Sequence, residues 1–252
     1  MGDTPRLEAP SHYGGPAHSL LQPILFVIGS LVLATMALGA HTLAYFPGDL
    51  SISRFVQAYT SDWLDAALAA VSWAGFPPQS DVLFGVIVAL LFVLGARWAA
   101  ATAAIAALGS GGLYLLLEHL VRQPRPSSDL VRVVSPIQMT GFPSGHVATF
   151  IAVFGFLAFL CYRRLGSSSF RWLPVALVAA LLTVMSFARI YAGHHWASDV
   201  LAGALLGGLW LAIVIRLYAW GEQWFVAWRS RRHTETPRGP LRQPITTSSS
   251  RT

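Results

Sequence analysis

The chain contains no lysine. All 17 of its basic residues are arginine, so no ε-amino group can serve as nucleophile, Schiff-base former or phosphate ligand. Charge of either sign is scarce, at 11% of 252 residues against roughly 25% in a soluble globular protein. A surface so poor in charge cannot all face water. Cysteine is nearly absent too: Cys161 stands alone, which excludes an intramolecular disulfide and any disulfide-stapled scaffold.

What is present is apolar. Hydrophobic residues make up 54% of the chain, and mean hydropathy is +0.56. Runs approaching the roughly 20 residues that a membrane helix needs lie near 21–46, 82–94, 99–121, 147–162, 173–190 and 200–220. The second and fourth are short and need flanking small or aromatic residues to extend them. These runs predict an all-α integral membrane protein, with about six transmembrane helices in one bundle over residues 20–220. The first run is longer than a signal-peptide core and lacks a basic start, so it reads as a retained helix. Between the first two spans, residues 47–81 repeat apolar side chains at roughly helical spacing. This predicts one or two short interfacial helices, either a packed connector or a lip at the substrate entry. The polar stretches 1–19 and 221–252 read as disordered tails, the second of them basic.

Arginine placement predicts orientation. With the N-terminus inside, Arg6, Arg97, Arg163, Arg164, Arg171 and the cluster Arg229, Arg231 and Arg232 all fall on the interior side. Arg54, Arg122, Arg125, Arg132 and Arg189 fall outside. Both termini are then cytoplasmic in a bacterial cell membrane.

Three segments at helix edges carry the ionisable groups, which are costly at membrane depth and mark function there. His195 and Asp199 lie four residues apart at the start of the last span, on one helical face. A carboxylate there can keep one imidazole nitrogen protonated and leave the other free to attack. Arg189, six residues upstream, offers a forked donor for an oxyanion. Pro143-Ser144-Gly145-His146 opens the fourth span, where free backbone N–H groups and the positive helix end bind anions. Arg122-Gln123-Pro124-Arg125-Pro126 follows the third span, with two prolines stiffening the exit so that Arg125 projects from a fixed backbone. Taken singly, each has a plain alternative: an interfacial polar cap, a capped helix with a chance histidine, a stop signal.

Together, in this order and spacing, the three segments resemble the type 2 phosphatidic acid phosphatase (PAP2) superfamily of membrane lipid phosphatases, over residues 60 to 215. That family's pattern is Lys-x6-Arg-Pro, then Pro-Ser-Gly-His, then Ser-Arg-x5-His-x3-Asp. Here the second motif is intact, and the third matches at Arg189, His195 and Asp199 with Ala188 in place of serine. The first keeps Arg125-Pro126 but has Glu118 at the lysine position. The resemblance implies that His195 attacks phosphorus to form a phosphohistidine, with Asp199 orienting it and His146 protonating the leaving oxygen. It also implies that Arg125, Ser144, Gly145 and Arg189 hold the phosphoryl oxygens.

Arginines can supply the needed positive charge, and no carboxylate cluster argues for a metal, so neither metal nor cofactor is expected. The implied partners are a lipid phosphate substrate and membrane lipids, not nucleic acid. Undecaprenyl diphosphate, phosphatidate and phosphatidylglycerol phosphate all fit, and the site is expected on the extracytoplasmic face. The same residues would also serve a lipid phosphotransferase. The competing class is a non-catalytic lipid-phosphate binder or transport component, against which the nucleophile set counts. Glu118 and Arg122 enter as accessory candidates, with Glu118 expected to pair with Arg122 or Arg125 and orient it. The other two outcomes are that Glu118 faces elsewhere while Arg122 or Arg132 replaces the lost charge, or that activity is reduced.

Overall fold

The computed structural model describes residues 16–137 and 139–234. Its described residues form eight α-helices and no strand: α1 (Pro16–Thr42), α2 (Asp49–Val56), α3 (Asp62–Trp73), α4 (Gln79–Val93), α5 (Arg97–Val121), α6 (Gly145–Arg164), α7 (Leu173–Tyr191) and α8 (Ala197–Thr234). Five of them are long and apolar enough to cross a membrane. The sixth expected span is α4, which is apolar but only 15 residues long. The architecture is that of a multi-pass membrane protein.

Sequence explains where the helices begin and end. Gly95, at φ +80°, precedes α5, and Arg122 ends it in the left-handed region at φ 58°. The prolines at 124 and 126 then forbid continuation. Pro143 stands before Ser144, which occupies the N-cap position of α6 without a side-chain capping bond. At the start of α8, the Asp199 carboxylate reaches back to accept the Trp196 N–H at 2.9 Å, one half of a capping box.

Helices α5, α6 and α8 form the centre. Small residues let them approach closely, the usual solution where lipid removes the hydrophobic drive for helix association. Gly203 and Gly207, one turn apart on α8, lie against the backbone of α6: a Cβ on either would come within 2.5 Å of the Ser144 or Ala148 carbonyl. This contact matters for the site because it sets Ser144 and His146 against the first turns of α8. Around the centre pack Ala103, Ala106, Val153, Phe156 and Val214, while most of α1 faces outward.

Segment 47–81 holds the two short helices α2 and α3, and it is a packed connector strapped across one end of the bundle. Asp49 accepts from the Phe46 N–H (2.8 Å), the Ser198 N–H (2.9 Å) and the Ser198 hydroxyl (2.6 Å). Asp65 takes the Arg132 guanidinium in two bonds of 2.8 Å and the Tyr191 hydroxyl at 2.5 Å. Arg132 beside it holds the Asp65 carboxyl down at about 2. One expectation needs correction at the other end of the chain. Residues 221–234, expected in a disordered tail, continue α8 as helix. At 38 residues, α8 spans about 57 Å, well beyond a hydrocarbon layer of about 30 Å. The predicted tails at 1–15 and 235–252 lie outside the described residues.

Candidate active site

The three predicted segments converge. The end of α5, the starts of α6 and α8 and the end of α7 meet at the end that α2 and α3 cover. The chain itself ties them: the Ser144 N–H donates to the Asp199 carbonyl at 2.9 Å, and the His195 N–H to the Arg189 carbonyl at 3.3 Å. His195, Asp199, Arg189 and Ser144 are all buried there.

His195 is held in one tautomer. Its Nδ1 lies 2.8 Å from the Gly141 carbonyl, which can only accept, so Nδ1 carries the proton. Its Nε2 then offers a lone pair, which the Arg125 Nη1 meets at 3.1 Å. Burial, then the charges of Arg125 and Arg189, push the His195 pKa well below its ordinary 6.5, so the ring is neutral near pH 7. Asp199 was expected to fix this ring. Its Oδ2 lies 3.5 Å from Nδ1, behind the shorter bond to Gly141, while Oδ1 has no partner among the described residues. Asp199 therefore lies beside the ring as a secondary contact, and the Gly141 carbonyl sets the tautomer. Gly141 allows both, since a Cβ there would approach Asp199 Oδ2 to 3.0 Å.

Arg125 is aimed by two carbonyls. Its Nε donates to Met139 at 2.7 Å and its Nη1 to His194 at 2.6 Å. Arg189 is the opposite case. It has 0% exposure and stacks over Phe76 at 4.8 Å, yet its Nε and Nη1 have no partner among the described residues. A buried guanidinium with idle donors is costly unless an anion arrives to meet it. Ser144 Oγ and His146 Nε2 are likewise buried without a partner. Gly145 is needed for close approach, because a Cβ there would press on the Tyr114 ring at 2.9 Å.

Arg189 and His146 border a cavity of about 930 Å³. Its polar end holds Arg125, Arg189, His146 and His195; from there it runs between α4 and α5 past Phe84, Val88, Leu108 and Leu115. One residue outside the predicted set lies behind this end, its carbonyl holding Arg125. His194 hydrogen-bonds Ser135 Oγ at 3.0 Å and stays neutral, its pKa lowered to about 4 by burial and the arginines.

The accessory candidates sit differently from expectation. The Glu118 carboxylate pairs with Thr140 and not with an arginine: its Oε1 accepts the Thr140 N–H and the Thr140 hydroxyl, both at 3.1 Å. Arg122 is exposed, its Nε turned onto the His119 carbonyl at 3.0 Å. Arg132 is committed to Asp65. Neither replaces the missing lysine. The roles of Thr140 and Gly141 were not foreseen, since a backbone carbonyl has no signature in sequence.

Comparison with known proteins agrees with this geometry. The family model described as PAP2 superfamily matches residues 98–222. A protein of Escherichia coli (strain K12) named as an undecaprenyl-diphosphatase is 28% identical over 169 residues, covering 63% of this chain and 72% of that one. Phosphatidylglycerophosphatase B of Bacillus subtilis (strain 168) is 24% identical over 196 residues, covering 77% and 94%. The crystal structure of a PAP2-type phosphatidylglycerolphosphate phosphatase from Bacillus subtilis superposes with a TM-score of 0.68 at 22% identity, covering 76% of this chain and 94% of that one. The motif residues, the helical bundle and these relatives agree: the chain belongs to the PAP2 superfamily and is a membrane phosphatase.

Proposed function

We propose that the protein hydrolyses the phosphate of a membrane lipid through a phosphohistidine at His195, without a metal. One observation carries this reading: His195 Nε2, with its proton displaced to Nδ1, faces the same cavity end as the idle donors of Arg189. In the first step the Nε2–P bond forms and the P–O bond to the lipid breaks, while His146 gives its proton to the departing oxygen. In the second, water attacks phosphorus, the N–P bond breaks, and His146 takes the water's proton. The net reaction is lipid phosphate plus water to lipid alcohol plus phosphate, or, for a lipid diphosphate, to lipid monophosphate plus phosphate. Charge spreads over the phosphoryl oxygens in both transition states, and Arg125, Arg189, Ser144 and the Gly145 N–H are placed to bind it.

The apolar run of the cavity between α4 and α5 fits a lipid chain, and it favours prenyl or glycerolipid phosphates over soluble esters. Orientation follows from charge. The N-terminal half of α1 and the C-terminal half of α8 lie away from the site, at the level of Arg97, Arg163, Arg164 and Arg171, which the positive-inside rule puts in the cytoplasm. The site then faces outward. A panel of undecaprenyl diphosphate, phosphatidate and phosphatidylglycerol phosphate, assayed for phosphate release in detergent with EDTA, tests the reading. Release from at least one supports it. Tight binding with no release, or release abolished by EDTA and restored by metal, overturns it.

A further inference from the structure

Glu118 stands where the family pattern has lysine, and its surroundings define a different task. The segment Met139–Gly141 crosses from the end of α5 to His195, and five of its polar groups have defined partners. The Met139 carbonyl takes the Arg125 Nε at 2.7 Å, and the Gly141 carbonyl takes His195 Nδ1 at 2.8 Å. Between them, the Thr140 N–H and hydroxyl both go to Glu118 Oε1 at 3.1 Å, the hydroxyl lying also 3.4 Å from the Glu118 carbonyl. The Gly141 N–H is bound to the Gln123 carbonyl at 2.8 Å. The two carbonyls that aim catalytic side chains thus flank one residue, and that residue is pinned to Glu118.

Building on the phosphohistidine reading, we propose that Glu118 is a positioning residue: by clamping Thr140 it fixes the Met139 and Gly141 carbonyls, and through them the aim of Arg125 and the tautomer of His195. The clamp needs an acceptor at Oε1 and not a charge, because both donors of Thr140 are neutral. A free Thr140 would let the segment shift, and misplacement by about 1 Å costs on the order of 100-fold in rate. The phosphate-binding charge is then left to Arg125 and Arg189, the arginines that line the cavity.

The test compares Glu118→Gln, Glu118→Ala and Thr140→Val in detergent-solubilised full-length protein. Glu118→Gln keeps the acceptor and should keep kcat and KM near wild type. Glu118→Ala and Thr140→Val should lower kcat on the order of 10- to 100-fold with little change in KM. In ¹⁵N-histidine spectra, assigned by difference from His195→Ala, wild type and Glu118→Gln should show a single Nδ1–H tautomer at His195. Glu118→Ala should show exchange between tautomers. An equal loss in Glu118→Gln and Glu118→Ala overturns the clamp in favour of a charge effect, and so does a faster Glu118→Gln. A Glu118→Ala protein with wild-type kcat and an unchanged tautomer overturns it outright. If wild-type protein releases no phosphate from any lipid, the hydrolase reading fails, and the tautomer spectra alone still decide the clamp.

Discussion

At the site end of the bundle Arg189, His195 and Asp199 are buried, and several of their polar atoms have no protein partner among the described residues. At the opposite end Arg97, Arg163 and Arg164 are exposed, and Arg97 lies over the Phe92 ring at 5.8 Å. Arg163 pairs with Glu222 and lies over the Phe159 and Tyr218 rings at 5.6 and 5.8 Å; Arg171, half-buried, lies over Tyr162 at 5.2 Å. The same residue type serves two purposes. Where arginine is buried and idle, the proposed function gives it an anion to meet, and where it is exposed and paired it sits at the helix ends as an interfacial anchor would. Burial without a partner, and not the mere presence of charge, separates the working end from the anchoring end.

The contrast can be broken most severely at His195, the proposed nucleophile. His195→Ala should lower phosphate release by at least roughly 10⁴-fold, since no second group replaces Nε2. Arg189→Met should lower kcat by about 10²- to 10³-fold. It should also raise Tm in the absence of substrate, because it removes a buried charge whose donors are unmet. A variant that loses both activity and Tm would make Arg189 structural and erase the distinction.

Acid should affect the two ends unequally. His195 and His194 are held neutral, with pKa values below the ordinary 6.5, while the unfolded chain protonates near 6.5. The unfolded state then binds more protons as pH falls, so stability drops from about pH 6.5 towards 4. Below the ordinary carboxyl value of 3.8, Asp65 adds to this as pH falls towards its folded value of about 2. With the His195 pKa held well below 6.5, single-turnover phosphoryl transfer should show no acid limb near 6.5 from this ring. A limb there, absent from a Tm profile, would put the ring's pKa at its ordinary value. The smallest effect belongs to the anchoring end: Arg163→Gln should leave kcat unchanged and cost at most about 1 kcal/mol in stability.

How much was legible beforehand follows the same division. Apolar length and period located the membrane helices, and the motif spacings located His146, Arg189, His195 and Asp199, because both depend on the order of side chains. The 20-residue α6 was underread at 147–162, since its first turn is Gly145-His146, the motif itself. The helical run of α8 to Thr234 was missed because its polar and basic residues read as tail composition. The partner of Glu118 was misassigned to an arginine for a related reason. One-turn spacing on α5 predicts Arg122 as partner, but Arg122 leaves the helix in the left-handed region and turns its side chain back to His119. Thr140 is 22 residues away, joined only by the fold.

The central claim, a phosphohistidine at His195, is tested most directly by quenching the enzyme during turnover of a ³²P-labelled lipid phosphate. The account predicts a label on the protein that is acid-labile and alkali-stable, present in wild type and absent from His195→Ala. An acid-stable label, or an acid-labile one that persists in His195→Ala, would contradict it.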